Sequence, residues 1–196
     1  MKKALLFVLI LSLMTTICAC DGKKETVENV HERIHSAYYD IGSYTAKCTV
    51  NAYTEASGIT YDCDVSYDKD NERYTVVFND MTICTDNEKT VITKGENSLE
   101  SPPSESDMCI FVNTFFESYY ESEETSMSVS AAKASDTVML ECNLINPTKT
   151  SAKMKLWINK SDVTPNSMQV FDKNGFMHTE VIFNEFNGYN FGKSGE

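Results

Sequence analysis

Basic residues are scarce in this sequence. Lysine and arginine total 17 against 29 aspartates and glutamates in 196 residues, a net charge of −12, and Arg33 and Arg73 are the only arginines. A surface that acidic has no electrostatic footprint for a phosphate backbone, which excludes nucleic acid as a partner, and it is repelled by anionic membrane. Two guanidinium groups are also too few for a site built to clamp phosphate or carboxylate. The 8 glycines are scattered and form no phosphate-cradling loop. No Ser/His/Asp spacing and no nucleophile elbow stands out. Long apolar runs are missing too: the longest, residues 4–17, has 14 residues, whereas a membrane-spanning helix needs ~20. The length suits one ordinary domain and not two.

The amino terminus is informative. Lys2 and Lys3 followed by the apolar run of residues 4–17 make the charged and hydrophobic regions of a signal peptide. Next comes Ile17-Cys18-Ala19-Cys20-Asp21, which resembles the bacterial lipobox: an aliphatic residue three before the cysteine and a small one just before it. The thiol is required because a diacylglyceryl group is attached through sulfur, and Ala19 gives the peptidase access. Cys18 does not qualify, since Ile17 stands where a small side chain is needed. Cys20 is therefore the expected lipidation site, with residues 1–19 as signal peptide, 20–26 as lipidated cysteine and tether, and 27–196 as the domain. Acyl chains add ~0.8 kcal/mol per buried methylene, so two of them make a lasting anchor on the extracytoplasmic face of the cell membrane. The six residues from Asp21 to Thr26 reach ~20 Å at ~3.5 Å each. Without the first 19 residues the balance is 15 basic against 29 acidic, or −14.

Val27, Val30, Ile34, Ala37, Tyr38 and Ile41 recur at helical spacing, with Gly42 as the expected C-terminal cap. Period two then takes over. Tyr44, Ala46, Cys48, Val50 and Ala52 alternate with polar residues, as do Ile59, Tyr61, Cys63, Val65 and Tyr67. Further strands are expected at 73–78, 81–85 and 89–94, with Asp86-Asn87 as a turn. Residues 96–107 read as a polar loop. Residues 108–120 read as a helix with Ile110, Phe111, Phe115 and Tyr119 at helical spacing, packed on a sheet and leaving through an acidic stretch, 117–124. Strands return at 136–144, 151–160, 167–173 and 176–186, with Asn174-Gly175 as a two-residue hairpin turn. The pattern is an α+β fold, one antiparallel sheet with helices gathered on one face.

Two constellations bear on chemistry. If the first hairpin has its symmetric register, facing residues sum to 111, so Tyr44 meets Tyr67, Ala46 meets Val65, Cys48 meets Cys63 and Val50 meets Tyr61. Directly opposed, Cys48 and Cys63 are either a disulfide or two buried thiols. Five cysteines beyond Cys20, an odd number spread through apolar strands, favour free thiols. The second is His31-Glu32-Arg33-Ile34-His35, which spells the H-E-x-x-H of zinc peptidases. Its setting is wrong for one. Only 11 residues separate the mature start from His31, no third ligand stands at a telling spacing, and the apolar stripe through Val27, Val30 and Ile34 leaves Glu32 and His35 toward solvent. His31, Glu32 and His35 are read as a chance match on a solvated helix face, and no metal, cofactor or catalytic residue is expected.

The tail carries a resemblance. Lys155-Leu156-Trp157-Ile158-Asn159-Lys160, then Pro165, then Val170-Phe171-Asp172-Lys173-Asn174-Gly175, then Val181-Ile182-Phe183-Asn184-Glu185-Phe186 resembles the last strands of the LolA-like superfamily. With the lipobox, the size and the helix-first order, the chain is most similar to clostridial germination lipoproteins of the GerS type. The resemblance implies a curved antiparallel half-barrel sheet with an N-terminal helix and an inserted helix on its concave face. It also implies a non-enzymatic, membrane-tethered regulator whose partner is a CwlD-type N-acetylmuramoyl-L-alanine amidase. That amidase modifies the spore cortex to make muramic-δ-lactam, which is needed for germination, and the implied location is the forespore membrane space. The alternative within the superfamily is a carrier of lipid or another apolar ligand, like LolA or LppX. Ile110, Phe111, Phe115 and Tyr119 are the candidate ligand or partner surface, and homodimerisation stays open. Around Asp70-Asn71-Glu72-Arg73-Tyr74-Thr75 the chain departs from the superfamily, with Asn71 and Thr75 where proline and arginine are common. An arginine latch over a lipid cavity is therefore not carried over.

Overall fold

The computed structural model describes residues 27–103, 108–129 and 136–188. The proposed signal peptide, Cys20 and the tether lie outside them. The chain divides into two compact units, Met1–His31 and Glu32–Glu196. In the first, the described residues are the opening turn of a helix, α1 (Val27–Tyr38). The second holds the rest of α1 and one 11-stranded sheet in the order β6-β5-β4-β3-β2-β1-β11-β10-β9-β8-β7. Its strands are β1 (Tyr44–Tyr53), β2 (Gly58–Asp68), β3 (Arg73–Phe78), β4 (Met81–Thr85), β5 (Thr90–Lys94), β6 (Asn97–Ser101), β7 (Thr125–Val129), β8 (Thr137–Asn143), β9 (Lys153–Asn159), β10 (Pro165–Phe171) and β11 (Met177–Gly188), with α2 (Val112–Glu121) between β6 and β7. The chain lays the sheet from its middle to one edge, crosses through α2, and returns from the other edge until β11 pairs antiparallel with β1. An α+β class and a single open antiparallel sheet agree with the sequence pattern.

The first hairpin has the symmetric register: Tyr44 faces Tyr67, Ala46 faces Val65, Cys48 faces Cys63 and Val50 faces Tyr61. One slip would have moved every apolar side chain to the polar face. Successive registers then align rows across the sheet. Leu140, Leu156, Met168, Val181 and Val50 form one row and are all buried. A second row runs Ala46, Val65, Val76, Ile83, Ile92, Leu99. Here burial fades outward, from 2% exposure at Val65 to 7% at Val76 and 64% at Leu99. The core therefore lies under the middle and the β8 side of the sheet, and β6 is bare on both faces.

Both helices contribute to that core. Ile34, Ala37 and Tyr38 of α1 and Val112, Phe115 and Phe116 of α2 are buried, and α2 packs on β8. Full burial of such side chains stabilises by roughly 1.5–3 kcal/mol each. The Tyr38 ring stacks on Phe116 at 4.1 Å, and its hydroxyl donates to the Val163 carbonyl at 2.7 Å. Val163, in the β9–β10 turn, has φ 54°, a left-handed conformation that strains a β-branched residue. The Tyr38 bond and a 3.0 Å bond from the Val163 N–H to the Asn159 carbonyl hold it there.

Several sequence expectations are corrected. The helix ends at Tyr38, not Ile41, and Gly42 is no left-handed cap; positive φ among glycines is confined to Gly95 and Gly175 in the described residues. The second helix starts at Val112, because Cys109 and Ile110 form a turn closed by a 3.0 Å bond from the Phe111 N–H to the Met108 carbonyl. Residues 97–101 are a strand and not loop, and residues 125–129 are an additional one. Asn174-Gly175 is not a two-residue turn. The Gly175 N–H bonds the Asp172 carbonyl at 3.2 Å and only Gly175 has positive φ, 85°, so the turn spans Asp172 to Gly175. The Asp172 carboxylate accepts from the Phe176 and Asn174 N–H groups, both at 2.8 Å, and these bonds hold it below the usual carboxylate range.

Candidate functional site

Where α2 begins, the sheet supplies its cap. Phe111 precedes the helix and caps nothing with its side chain. The Tyr44 hydroxyl from β1 instead accepts the Val112 N–H at 3.0 Å and donates to Asn113 Oδ1 at 3.0 Å. Asn113 Nδ2 donates in turn to the Tyr74 hydroxyl at 2.9 Å and to Glu117 Oε1 at 3.3 Å. A helix N-terminus leaves four N–H groups without intrahelical partners, and a buried one must find a partner elsewhere. Burial pushes the Tyr44 phenol well up, and burial followed by the Glu117 carboxylate pushes Tyr74 up to about 12. Both remain neutral donors and acceptors. In the sequence Tyr44 reads only as an apolar strand residue. The available signal was a tyrosine at the strand start and a lone asparagine inside the apolar run 110–116.

The aromatic run of α2 divides into two parts. Phe111 and Phe115 are 1% and 0% exposed, so these members of the expected ligand or partner surface are core side chains. Ile110 and Tyr119 keep partial exposure. α2 packs on β8, and Phe115 and Phe116 of the helix and Leu140 and Cys142 of the strand are all at 1% exposure or less. The cleft left at the end of α2 measures ≈150 Å³ and is lined by Tyr74, Cys109, Thr114, Glu117, Ile145 and Ser151, among others. Ligand pockets for small molecules run to ~300–1,000 Å³. On the opposite, polar face, an open hollow of ≈550 Å³ sits beside the irregularity at Lys47/Cys48. There Asn184 Nδ2 donates to Thr49 Oγ1 at 3.0 Å and Thr49 Oγ1 donates to Asp62 at 2.7 Å.

Toward solvent the aromatic series continues onto α1. The His35 ring stacks on Tyr39 at 4.8 Å and 15°, and both stand edge-on to Tyr120, at 5.3 and 5.6 Å. Tyr120 stacks on Phe116 at 5.7 Å, which joins the surface rings to the core.

The model of the family described as "Sporulation protein YdcC-like" matches residues 1–190. The chain belongs to the YdcC-like sporulation proteins. Among curated proteins nothing matches. Solved structures with related architecture include a chain of the Clostridioides difficile complex of the CwlD amidase with the GerS lipoprotein, at 21% identity over 90% of this chain and 98% of that one, TM-score 0.42. A LolA superfamily protein from Nitrosomonas europaea is 13% identical over 84% and 94%, TM-score 0.45. The Mycobacterium tuberculosis lipoprotein LppX is 11% identical over 85% and 95%, TM-score 0.45.

In this YdcC-like protein Glu32 and His35 are exposed, and His35 is engaged by aromatic rings. Among the described residues no group of three or more His, Cys, Asp or Glu side chains is placed to hold a metal ion. No helix among them is long and apolar enough to cross a membrane. Cys48 and Cys63 face each other and are buried free thiols. Burial pushes Cys63 up to about 11 and Cys48 further, away from the reactive thiolate.

Proposed function

We propose that this YdcC-like protein is a lipid-anchored, non-enzymatic lipoprotein that binds and regulates a cell-wall amidase of the CwlD type during sporulation. Cys20 carries the anchor, and the domain works on the extracytoplasmic face, in the forespore membrane space, as a curved sheet with the helices on its concave side. The observation that carries the reading is the match to the sporulation family over residues 1–190. The lipobox wording at Ile17 to Cys20 and the strand wording from Lys155 to Phe186 support it, and the CwlD amidase with its GerS lipoprotein gives the partner class. A lipid carrier is the competing reading. It requires a continuous apolar cavity beneath α2, whereas the helix packs on β8 through side chains at 1% exposure or less and the cleft beside it measures ≈150 Å³.

A pull-down from sporulating cells with the soluble fragment 21–196 tests the choice. Recovery of an N-acetylmuramoyl-L-alanine amidase is expected. Lipid recovered without amidase would replace the proposal with the carrier.

A further inference from the structure

We infer that the exposed joint between α1 and α2, where His35, Tyr39 and Tyr120 meet, is a docking surface for an arginine- or lysine-bearing segment of a partner protein. This deepens the protein-binding reading above by naming the face and the chemistry it accepts.

Three observations converge there. Tyr39 is 68% exposed, and a solvent-facing ring is costly to hold in one place unless neighbours fix it. Here His35 stacks on it and Tyr120 meets it edge-on, so its open face is presented ready-made. A ring face is the negative side of the aromatic quadrupole and attracts a cation within about 6 Å. Second, the Tyr120 hydroxyl is buried and has no hydrogen-bond partner among the described residues. Buried phenols usually find a partner; the Tyr120 ring is itself only partly buried, and once it turns outward a guanidinium brings donors enough to serve a ring face and the phenol oxygen together. Third, the segments 32–40 and 117–124 that carry these rings hold six carboxylates (Glu32, Asp40, Glu117, Glu121, Glu123, Glu124) and one arginine. That arginine, Arg33, donates to the Ser161 carbonyl at 2.7 Å. Asp40 is engaged by Lys69; Glu32 and Glu121 are exposed. Glu117 and Glu124 accept from Asn113 and Asn143, and the excess of negative over positive charge around the aromatic platform steers a basic segment in and turns acidic surfaces away.

The test places a photo-crosslinker, Tyr39→p-benzoyl-Phe, in the full-length protein in sporulating cells and maps the adduct by mass spectrometry. The same label at Leu99, on the bare strand β6, serves as the reference, and a label at the exposed Ser36 replaces position 39 if that variant does not accumulate. An adduct on a protein segment bearing Arg or Lys, reduced severalfold by Glu121→Lys and missing from the Leu99 label, is the expected result. No adduct, an adduct on glycan, an adduct on a segment without Arg or Lys, or a yield indifferent to Glu121→Lys overturns the inference. If the basic segment belongs to a cell-wall amidase, the surface and the proposed function stand together. If it belongs to another protein, the surface stands and the amidase reading falls.

Discussion

Replacing Tyr44 with phenylalanine isolates the polar joint that starts α2. The phenyl ring keeps its stacking on Phe186 at 4.9 Å and its contact with Tyr67, so no cavity opens. Only the hydroxyl goes. With it go the acceptor of the Val112 N–H and the donor to Asn113 Oδ1, each at 3.0 Å. A buried group left unsatisfied costs about 1–3 kcal/mol, so with two such groups Tyr44→Phe should cost about 2–6 kcal/mol. Tyr74→Phe is the matched control. It removes one acceptor from Asn113 Nδ2, which retains its second contact, at 3.3 Å to Glu117. The loss is then that of one ordinary bond, about 0.5–1.5 kcal/mol. Urea unfolding of the 21–196 fragment reads the difference. With a slope of about 2 kcal/mol per molar urea, Tyr44→Phe lowers the midpoint by roughly 1–3 M and Tyr74→Phe by under ~1 M. The double variant Tyr44→Phe/Asn113→Ala should be non-additive by more than ~0.5 kcal/mol, as expected of one network. Equal shifts for the two phenylalanine variants, or additivity in the cycle, would refute the assignment of the helix cap to Tyr44.

Gly175→Ala should lower the thermal midpoint by roughly 2–8 °C, since a side chain at φ 85° costs about 1–2 kcal/mol of backbone strain and a Cβ there meets nothing within 4 Å. An unchanged midpoint would mean that the turn relaxes without cost. Cys48 and Cys63 should resist alkylation at neutral pH in the folded protein and label on unfolding, with Cys84, half-exposed, reacting ahead of them; rapid native labelling of Cys48 would contradict its burial. Stability should hold below pH 9 and decline from pH 9 to about 12. An unfolded thiol titrates near its ordinary value of 9.0, whereas burial moves Cys63 to about 11 and Cys142 to about 12, so over that window the unfolded chain loses protons that the native chain retains. Denaturation midpoints measured across that window check the sign, and a rise would reverse it.

The parts of the fold legible in the sequence are those in which one residue's burial repeats its neighbours'. The register of β1 on β2 followed from alternation alone, because a shift by one would have exposed Ala46, Cys48 and Val50 together. Strand β6 carried no such mark. In Asn97-Ser98-Leu99-Glu100-Ser101 every residue is exposed, and its conformation is set by pairing with β5, a partner that composition does not reveal. The same holds for β7, which follows the acidic exit of α2 and pairs with β8.

Helical spacing identified the aromatic residues of α2 but not their roles, and the reason is geometric. Phe115 and Tyr119 are one turn apart on one stripe, stacked at 5.7 Å, yet Phe115 is fully buried and Tyr119 is not. Toward the C-terminal end of α2 the neighbours change: Tyr119 meets Phe115, Phe116 and Tyr120, and Tyr120 meets His35 of α1 and Tyr39 beyond it. Where along the stripe that change falls is a tertiary quantity. This is why the pattern 110–119 singled out two core phenylalanines, while the exposed rings are His35, on the other helix at the end of a motif that spells zinc chemistry, and Tyr39, just past the end of that helix. Their function is therefore to be sought in the acidic charge beside them, which the composition did display from the outset.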